Sequence, residues 1–419
     1  MKRILIVSEL FYPQNAIGAL RPTKIRDSLI QKGYVVDVIT KSFSNQNEDS
    51  ENGRIWRLDA IEEAANKRST VTVIQKNNRL IRELKRAKRT ILSIKRGKQY
   101  CNRVINFIEE HNIAMSDYTA IITTFGPVSS VMIGLAIKKE FQDVNWVCDF
   151  RDPMVVEEVS VFLKPLMALL QNKACKSADH IVAVSNGYLR RICGNKYMSK
   201  RHMIPNGYDT ADIAISESCI PPTDLLHITY VGALYEGKRK ITPLFRALRE
   251  LANEGKADLN RICFDYAGGD GAFLCAQADE FGLGSIVHDL GVLPRNECLK
   301  LQFSSHLLVL STWNNRGEEG VFPGKFLEYM LIGKPIISIT DGNLPNSEVT
   351  SVMREGRLGV AYETARANED FSQLKQYVYA CYTEWAQKGS ITFEPVQEVL
   401  DRYNYDHIIK QIEGLICGE

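Results

Sequence analysis

The chain has 419 residues, of which 45% are hydrophobic and 24% are charged, as in ordinary globular proteins. Its 52 Lys and Arg residues and 50 Asp and Glu residues leave a formal net charge of +2, which gives no chain-wide reason to expect a nucleic-acid partner. The 10 cysteines and 7 histidines show no C-x-x-C, H-x-x-H or H-E-x-x-H spacing. The composition therefore excludes a disordered or fibrous chain, and the spacing predicts neither a metal site nor a disulfide framework.

The apolar runs of the chain are short. At the amino terminus the run ends at Glu9 and Pro13, so no hydrophobic region of signal-peptide length follows. The longest nearly apolar stretch, Val161–Leu170, contains Lys164 and Pro165 and is too short to span a bilayer. The sequence thus predicts a reduced, cytoplasmic protein, and its length favours two or three domains.

The first half of the chain alternates short apolar strands with helical segments. A helix is predicted from about Pro22 to Lys32, ending at Gly33. The predicted strands are Arg3–Ser8, Val35–Thr40, Tyr118–Phe125, Asn145–Phe150 and His180–Ser185. Strands that alternate with helices in this way favour a parallel sheet covered on both faces.

The same alternation begins again after Ser216–Asp224, a polar segment with adjacent prolines that is the best linker candidate. The predicted strands of the second half are His227–Ala233, Ile262–Gly268, Ser285–Leu290, His306–Ser311 and Pro335–Thr340. The end of the chain, Glu394–Cys417, is predicted to be helical with no strand after it.

We interpret the two series as two doubly wound α/β domains, residues 1–215 and 225–393, with a C-terminal helix in 394–419 that returns toward the first domain. One large α/β domain is the alternative, because the linker is short. Two such domains would face each other across an interdomain cleft at the carboxyl ends of their strands, where open α/β sheets bind ligands. Functional residues are therefore expected in the loops that follow strands.

Two loops of the first half carry candidate residues. The loop after the first strand lacks a G-x-G-x-x-G pattern, but Gly18 would let the backbone approach a ligand closely, unless this glycine only makes a turn. Arg151 and Asp152 follow the strand Asn145–Phe150. Either Arg151 pairs with a neighbouring aspartate and locks the loop, or Asp152 binds or activates an acceptor hydroxyl.

Two loops of the second half are candidates for binding phosphate. Lys238, Arg239 and Lys240 follow a strand and suit a diphosphate, although a charge run is also typical of a solvated turn. Further on, a glycine-rich loop precedes a predicted helix whose free N–H groups, near Gly324, suit phosphate oxygens. Glu328 within this helix would accept hydrogen bonds from ribose hydroxyls, or it lies on an exposed helix face.

The segment 76–103 holds eleven Lys or Arg residues and one acid, Glu83, so its charge is +10 and the rest of the chain is acidic. Apolar residues at mostly helical spacing give a basic amphipathic pattern, formed by Leu80, Ile81, Leu84, Ile91, Leu92 and Ile94. Such a helix suits an anionic membrane surface. The alternatives are a helix whose apolar side packs on the first domain, or a nucleic-acid site, for which the segment carries no recognition motif.

Six motifs, in order along the chain, resemble those of bacterial family 4 glycosyltransferases, which have the GT-B fold. The most specific is Pro323–Ile337, PGKFLEYMLIGKPII. The others are FYPQNAIGALR, DFRDP, VAVSNGYLRRI, IPNGYD and VGALYEGKRKITPLFRAL. The similarity covers essentially the whole chain and matches a branch often found in the biosynthesis of surface polysaccharides such as capsule or O-antigen.

The resemblance implies transfer of a sugar from a UDP- or GDP-linked donor to an acceptor, with retention at the anomeric carbon. It also implies that the second domain binds the donor and the first binds the acceptor. By matching motif positions, Glu328 is expected to bind the donor ribose, and Lys238 with Arg239 the diphosphate. Gly18 is expected to face the diphosphate from the first domain, and Lys325 to lie near the phosphates or the sugar.

Two positions depart from the family pattern. The family has a glutamate pair spaced E-x7-E, but Gly320 stands where the first glutamate of that pair would precede Glu328. Glu318 and Glu319 are its neighbours and both are candidates for the sugar-facing role, which we assign to Glu319. Many members carry a histidine after the strand that corresponds to Asn145–Phe150, and here we assign Asp152 to the acceptor.

The predicted function is therefore that of a retaining hexosyltransferase which needs no cofactor beyond its donor. No D-x-D motif occurs, which fits stabilisation of the leaving group without a metal. The expected acceptor is a lipid-linked saccharide, reached from the cytoplasm with segment 76–103 on the anionic inner membrane and no nucleic acid involved. The alternatives are a nucleotide-sugar 2-epimerase of the same fold and a non-catalytic two-domain sugar-binding protein.

Overall fold

A computed structural model describes residues 2–14, 17–41, 47–58, 79–124, 126–208, 210, 219, 221, 222 and 224–417. Contacts between Cα atoms divide the chain into two compact units, Met1–Pro205 with Ile408–Glu419 and Asn206–His407. Most of the predicted linker Ser216–Asp224 lies outside the described residues. None of the helices in the described ranges combines the length and the apolar character needed to cross a membrane.

The first unit is built on a mainly parallel sheet. Its described strands are β1 (Arg3–Ser8), β2 (Val35–Lys41), β3 (Glu48–Ser50), β4 (Gly53–Leu58), β5 (Ala120–Thr124), β6 (Asn145–Arg151), β7 (His180–Ala183) and β8 (Arg201–Met203). Their order is β3-β4-β2-β1-β5-β6-β7-β8, and only β3 and β4 pair antiparallel. The chain leaves β1 in one direction and returns beside it as β5, so the topological switch point lies between β1 and β5.

The helices of the first unit are α1 (Ile17–Gln31), α2 (Arg79–Glu110), α3 (Pro127–Glu140), α4 (Lys164–Ser177) and α5 (Asn186–Cys193). Helix α1 begins five residues before the predicted start at Pro22. Gly18 therefore lies in the first turn of a helix and not in the loop where the sequence analysis expected it. The described part of the basic segment 76–103 is helical within α2, as predicted, while Lys76 lies outside the described residues.

The second unit has a fully parallel sheet. Its described strands are β9 (Leu226–Val231), β10 (Ile262–Ala267), β11 (Val287–Asp289), β12 (Leu307–Trp313), β13 (Ile336–Asp341) and β14 (Gly359–Glu363). Their order is β11-β10-β9-β12-β13-β14, which puts the switch point between β9 and β12. The helices are α6 (Thr242–Asn253), α7 (Gly271–Asp279), α8 (Arg295–Phe303), α9 (Gly324–Ile332), α10 (Glu348–Glu355), α11 (Ala367–Lys388) and α12 (Gln397–Asp401).

Strand β12 shows why the second sheet reads as a continuous apolar run in the sequence. Successive side chains of a strand point to opposite faces. Leu307 and Val309 pack into one core cluster, and Leu308 and Leu310 pack into another. Both faces of the sheet are therefore covered, as predicted from the strand–helix alternation.

The C-terminal segment is two helices and not the single one expected between Glu394 and Cys417. After α12, helix α13 (Tyr405–Cys417) follows. Its later residues belong to the first unit, where Asn145 Nδ2 donates to the Leu415 carbonyl at 2.9 Å and Tyr34 Oη donates to Glu413 at 3.0 Å.

Four strands were missed by the sequence analysis: β3, β4, β8 and β14. Strands β3 and β8 have three residues each, too few for a periodic pattern. Strand β14 begins at Gly359, with φ of +131°, and a Cβ there would lie 2.1 Å from the Ile336 carbonyl oxygen. The glycine that resembles a turn residue in the sequence is required by the close approach of β13.

Candidate functional site

Arg21 and Asp149 form a buried ion pair at the carboxyl end of the first sheet. Asp149 Oδ2, near the end of β6, accepts from Arg21 Nε at 2.8 Å and from Thr124 Oγ1 at 2.8 Å. The two charged side chains are 1% and 2% exposed. Arg21 also donates to the carbonyls of Ile204 at 3.2 Å and Pro205 at 2.5 Å. Asp149 thus ties α1, β5 and β6 together.

Arg151 performs a related task at the start of α1. Pro22 has no N–H group, so it cannot bond the carbonyl of Gly18, four residues earlier in the helix. Arg151 Nη1 donates to that carbonyl instead, at 3.1 Å. Arg151 is buried and has a φ of +58°, a conformation that costs a non-glycine residue energy. Within the motif DFRDP, two of the three charged residues therefore position the backbone around Gly18.

Asp152 differs from both of its charged neighbours. Its side chain is exposed, and within the described part of the chain its carboxylate accepts no hydrogen bond, while its backbone N–H donates to the Phe150 carbonyl at 2.6 Å. Although the residue as a whole is exposed, the protein around its carboxyl group partly excludes water, and this desolvation raises the pKa of Asp152. The charges of Arg151 and Arg191 lower this pKa, and the charge of Asp149 raises it. The third charge of DFRDP is thus free of structural bonds at the end of β6.

In the second unit, the predicted cationic loop after β9 has a defined geometry. Lys238 Nζ donates to Glu318 Oε1 at 3.0 Å and lies 5.5 Å from the centre of the Trp313 ring. The Arg239 guanidinium lies over two rings, 4.4 Å from that of Tyr235 and 5.3 Å from that of Trp313. These aromatic faces hold the two cations at the carboxyl ends of β9 and β12. Lys238 and Arg239 thus have aromatic and carboxylate partners within the second unit, and their role in binding a diphosphate stays a prediction.

The glycine-rich loop after β12 presents its two glutamates differently. Glu318 accepts from Lys238 and from Asn315 Nδ2, the latter at 3.4 Å. Glu319 Oε2 accepts from the backbone N–H of Gly317 at 2.9 Å. The structure thus pairs Glu318 with the predicted diphosphate lysine, while Glu319 turns back on its own loop.

Glu328 is largely buried, with 11% of its side chain exposed, so the alternative of an exposed helix face does not apply. Its Oε1 accepts from Lys325 Nζ at 2.5 Å, within α9, and its Oε2 accepts from Arg295 Nη1 at 3.2 Å, at the start of α8. An ionised carboxylate has about four acceptor positions, so two remain for a ligand. Gly324 begins α9, where backbone N–H groups are free of helix partners.

The cationic loop after β9 and the helix α9 that carries Glu328 both lie at the carboxyl end of the second sheet. The backbone N–H of Val231, the last residue of β9, donates to Tyr329 Oη at 3.4 Å. Tyr329 follows Glu328 in α9, and burial raises the pKa of its hydroxyl. The charge of Glu328 raises this pKa further, and the charge of Arg239 lowers it. The ends of β9 and β12 and the start of α9 therefore bring together the cationic loop and the buried glutamate.

The whole chain is similar to solved structures of sugar transferases. The sucrose-phosphate synthase from Thermosynechococcus elongatus has 18% identity and a TM-score of 0.62, covering 100% of this chain and 99% of its own. WaaG, a glycosyltransferase involved in lipopolysaccharide biosynthesis, has 13% identity and a TM-score of 0.56, and the match covers 99% of this chain and 100% of WaaG. The E. coli trehalose-6-phosphate protein bound with UDP-2-fluoro glucose has 10% identity and a TM-score of 0.62, and the match covers 99% of both chains.

The chain has the GT-B fold. No protein-family profile and no curated protein sequence matches it. The predicted fold class is thereby confirmed, whereas membership of family 4 stays a prediction.

Two residues of the candidate site could not be predicted from the sequence. Arg295 contacts Glu328 but lies 33 residues before it, and nothing in its local sequence, LPRNE, connects the two. Trp313, at the end of β12, holds both cations of the other loop. A tryptophan at a strand end was the available signal, since polar or aromatic residues after strands are candidates in open α/β sheets.

Proposed function

We propose that this protein is a retaining, metal-independent hexosyltransferase that moves a sugar from a UDP- or GDP-linked donor to a lipid-linked saccharide in capsule or O-antigen biosynthesis. The observation that carries the proposal lies at the carboxyl end of the second sheet. Glu328, held by Lys325 and Arg295, precedes Tyr329, whose hydroxyl accepts from the last residue of β9, the strand that leads into the cationic loop. A buried carboxylate next to ordered cations suits a ribose diphosphate, because one part needs acceptors and the other needs positive charge.

We assign donor binding to the carboxyl end of the second sheet. Glu328 accepts hydrogen bonds from the ribose hydroxyls with the acceptor positions that Lys325 and Arg295 leave open. Lys238, which now donates to Glu318, exchanges that carboxylate for a phosphate oxygen when the donor binds. The backbone N–H groups at Gly324 donate to a further phosphate oxygen, and Glu319 or Glu318 faces the sugar.

Bond cleavage puts negative charge on the leaving nucleoside diphosphate, and Lys238 and Arg239 stabilise that charge as it grows. The bond between the anomeric carbon and the phosphate oxygen breaks while the acceptor oxygen bonds to the same face of that carbon. The acceptor proton passes to the leaving phosphate, so no further reactant is needed. Asp152 of the first unit is assigned to hold the acceptor hydroxyl, while Gly18 faces the diphosphate.

Two of the similar structures support the choice of substrates. WaaG is described as a glycosyltransferase of lipopolysaccharide biosynthesis, and the E. coli protein was solved with UDP-2-fluoro glucose. The deciding experiment measures nucleoside diphosphate release from a panel of UDP- and GDP-sugars, with and without lipid-linked acceptors and with a chelator present. Acceptor-dependent release that survives the chelator, with retained anomeric configuration in the product, supports the proposal. Release without any transfer product indicates the epimerase, and tight donor binding without release indicates the sugar-binding protein.

Helix α2 supports attachment to the inner membrane from the cytoplasmic side. Five of its six predicted apolar stripe residues are exposed, namely Leu80 (59%), Ile81 (45%), Leu84 (59%), Ile91 (56%) and Leu92 (40%). Only Ile94 packs against the core. This exposure favours the membrane assignment over a stripe buried on the first domain.

A second exposed apolar segment lies against this part of α2. The backbone N–H groups of Ser160 and Val161 donate to Thr90 at 3.4 Å and to Glu83 at 3.2 Å. Just beyond this contact, Val161 is 50% exposed and Phe162 is 70% exposed. Apolar side chains among exposed cations fit an anionic bilayer, because the apolar side chains insert into its interface and its anionic headgroups attract the cations. We therefore assign the anionic inner-membrane surface as a partner of the first unit.

A further inference from the structure

Four side chains with metal-binding atoms meet on one face of the second sheet, and we call them the β9–β11 cluster: His227, Cys263, Asp265 and His288. Cys263 of β10 pairs in register with His227 of β9, and Asp265 pairs with His288 of β11. Because side chains alternate along a strand, Cys263 and Asp265 point to the same face. The strand register alone therefore brings together residues from three separate parts of the chain.

The donor atoms of the cluster are close to one another. Cys263 Sγ lies 3.2 Å from His288 Nδ1 and 3.2 Å from Asp265 Oδ1, which is 3.5 Å from His288 Nδ1. His227 Nδ1 lies 2.7 Å from Asp265 Oδ2, and the donor atoms of His227, Cys263 and Asp265 are all within 4.8 Å of one another. Tetrahedral zinc with bonds of roughly 2.0–2.3 Å places its ligand atoms roughly 3.3–3.8 Å apart. The three separations among Cys263, Asp265 and His288 are close to that range, whereas His227 Nδ1 and Asp265 Oδ2 are hydrogen-bonded at 2.7 Å and would have to move apart around an ion.

The chemistry of the cluster is also that of a zinc site. Two imidazoles, a thiol and a carboxylate are all zinc ligands, and four protein ligands are typical of structural sites. Cys263 is 2% exposed, whereas the His288 side chain is 54% exposed and gives an ion access from solvent. His227 is held from behind, because its backbone N–H donates to His306 Nδ1 at 3.1 Å and the two rings stack.

We propose that the β9–β11 cluster binds one zinc ion in a structural site. The site ties β11, an edge strand of three residues, to β10 and the central strand β9. It lies at the amino-terminal part of β9, away from the carboxyl end where the donor is assigned, so it does not bear on whether sugar transfer needs a metal. Local spacing in the sequence predicts no metal site here, because these residues come from three strands.

The test is zinc binding by the full-length protein after dialysis against a chelator. Calorimetry should find one site tighter than micromolar, and Co²⁺ should give thiolate charge-transfer and tetrahedral visible absorption. Zinc should also raise the unfolding temperature through binding to the folded state. These readouts need no sugar transfer, so they remain informative if the proposed transferase activity fails.

Cys263→Ser and His288→Gln should each weaken zinc binding by more than about 100-fold, since even groups outside the ligand set cost 10-fold to 100-fold. Cys263→Ser should also remove the charge-transfer band. His288→Gln changes a half-exposed side chain, so this variant keeps the test valid if the buried change prevents folding. Cys275→Ser in α7 and the double variant His180→Gln/His202→Gln in the first unit serve as controls and should bind like the parent.

Absence of a site tighter than micromolar would overturn the proposal and leave the cluster as a hydrogen-bond network around Asp265. The proposal is also wrong if zinc binding survives both cluster variants. Loss of binding in the His180/His202 control, whose ring nitrogens lie 3.1 Å apart, would assign the zinc to that pair instead.

Discussion

Arg21 and Asp149 are 128 residues apart in the chain, yet their side chains form a 2.8 Å ion pair that is almost completely shielded from water. The pair changes the interpretation of the motif DFRDP, in which the sequence offered a structural and a functional reading for the same charges. A structural role is observed for two of these charges, with Arg21 and the Gly18 carbonyl as their partners, and the functional role of Asp152 stays a prediction. Asp149 and Arg151 fix the backbone of α1, and Asp152 is the charge that remains available.

Asp149→Asn should destabilise the protein by about 3–5 kcal/mol, because removing one partner leaves the other charge buried and unpaired. Urea unfolding of the parent protein, of Asp149→Asn and of Arg21→Met measures this loss of unfolding free energy. A change in unfolding free energy below about 1 kcal/mol for Asp149→Asn would show that the pair does not hold α1 to the sheet. Asp152→Asn, three residues further along, is the matched control and should not lose stability.

Asp152→Asn should instead reduce sugar transfer and leave donor hydrolysis in place. The raised pKa of Asp152 means that the folded state disfavours its charged form, so the charge costs stability above the folded pKa and the cost vanishes below the unfolded value of about 3.9. At neutral pH the Asn variant is therefore expected to be as stable as the parent or more stable.

The same shift predicts a pH profile. If the ionised Asp152 holds the acceptor, kcat/KM for the acceptor should fall on the acid side at a pH above the ordinary Asp pKa of about 3.9. Asp152→Asn should lower the plateau and remove this acid limb. An unchanged acid limb in the variant would assign the titration to another group.

Lys238→Ala and Arg239→Ala should lower kcat more than donor affinity, because the charge they stabilise is largest in the transition state. The loss expected for one such donor is about 100-fold to 1,000-fold in kcat. Lys240→Ala is the matched control, since Lys240 is exposed and its bond to Asp341 Oδ2 comes from the backbone N–H. Equal losses in binding and turnover would mean that these cations only anchor the ground state.

Glu328→Ala should weaken donor binding by about 1.5–3 kcal/mol in calorimetry, the value of hydrogen bonds to a charged group. Arg295→Ala should weaken it as well, through the carboxylate that Arg295 positions at 3.2 Å. Lys300→Ala on the same helix α8, where Lys300 pairs with the exposed Glu297, is the control. Donor affinity that does not change in Glu328→Ala places the ribose elsewhere.

Replacing Lys85, Lys88 and Arg89 with Gln should weaken binding to anionic vesicles by about 1 kcal/mol for each cation. Arg86 is left unchanged, because it pairs with Glu83 at 2.8 Å and Glu157 at 3.2 Å. Sedimentation with anionic and neutral vesicles, at low and high salt, measures the partition.

Phe162→Ser should lower the part of this binding that resists high salt, since that part depends on apolar insertion. The double variant Lys139→Gln/Lys196→Gln removes exposed charges elsewhere in the first unit and should bind vesicles nearly as the parent does. Binding that survives both the triple variant and Phe162→Ser would mean that the membrane contact lies outside α2 and its neighbouring segment.

Much of the fold could be predicted from the sequence, because buried parallel strands are short apolar runs bounded by turn residues. Ten strands and α9 were located this way, with ends within a few residues. Two elements could not be located correctly from the sequence, each for a physical reason. Helix α1 begins ahead of Pro22 because Arg151, distant in sequence, satisfies the carbonyl that the proline leaves unbonded. Strand β14 begins at a glycine because β13 leaves no room for a side chain.

The sequence by itself determined the two series of strands and helices, the loops that carry polar residues, and the basic segment. Those features depend on local periodicity and composition, which one chain displays directly. Only the tertiary structure decided that Asp149 is tied up in a buried ion pair whereas Asp152 is not. It also decided that Arg295 donates to Glu328 and that most of the apolar stripe of α2 is exposed. It also brought His227, Cys263 and His288 together, because strand register, and not sequence spacing, sets which side chains of a parallel sheet become neighbours.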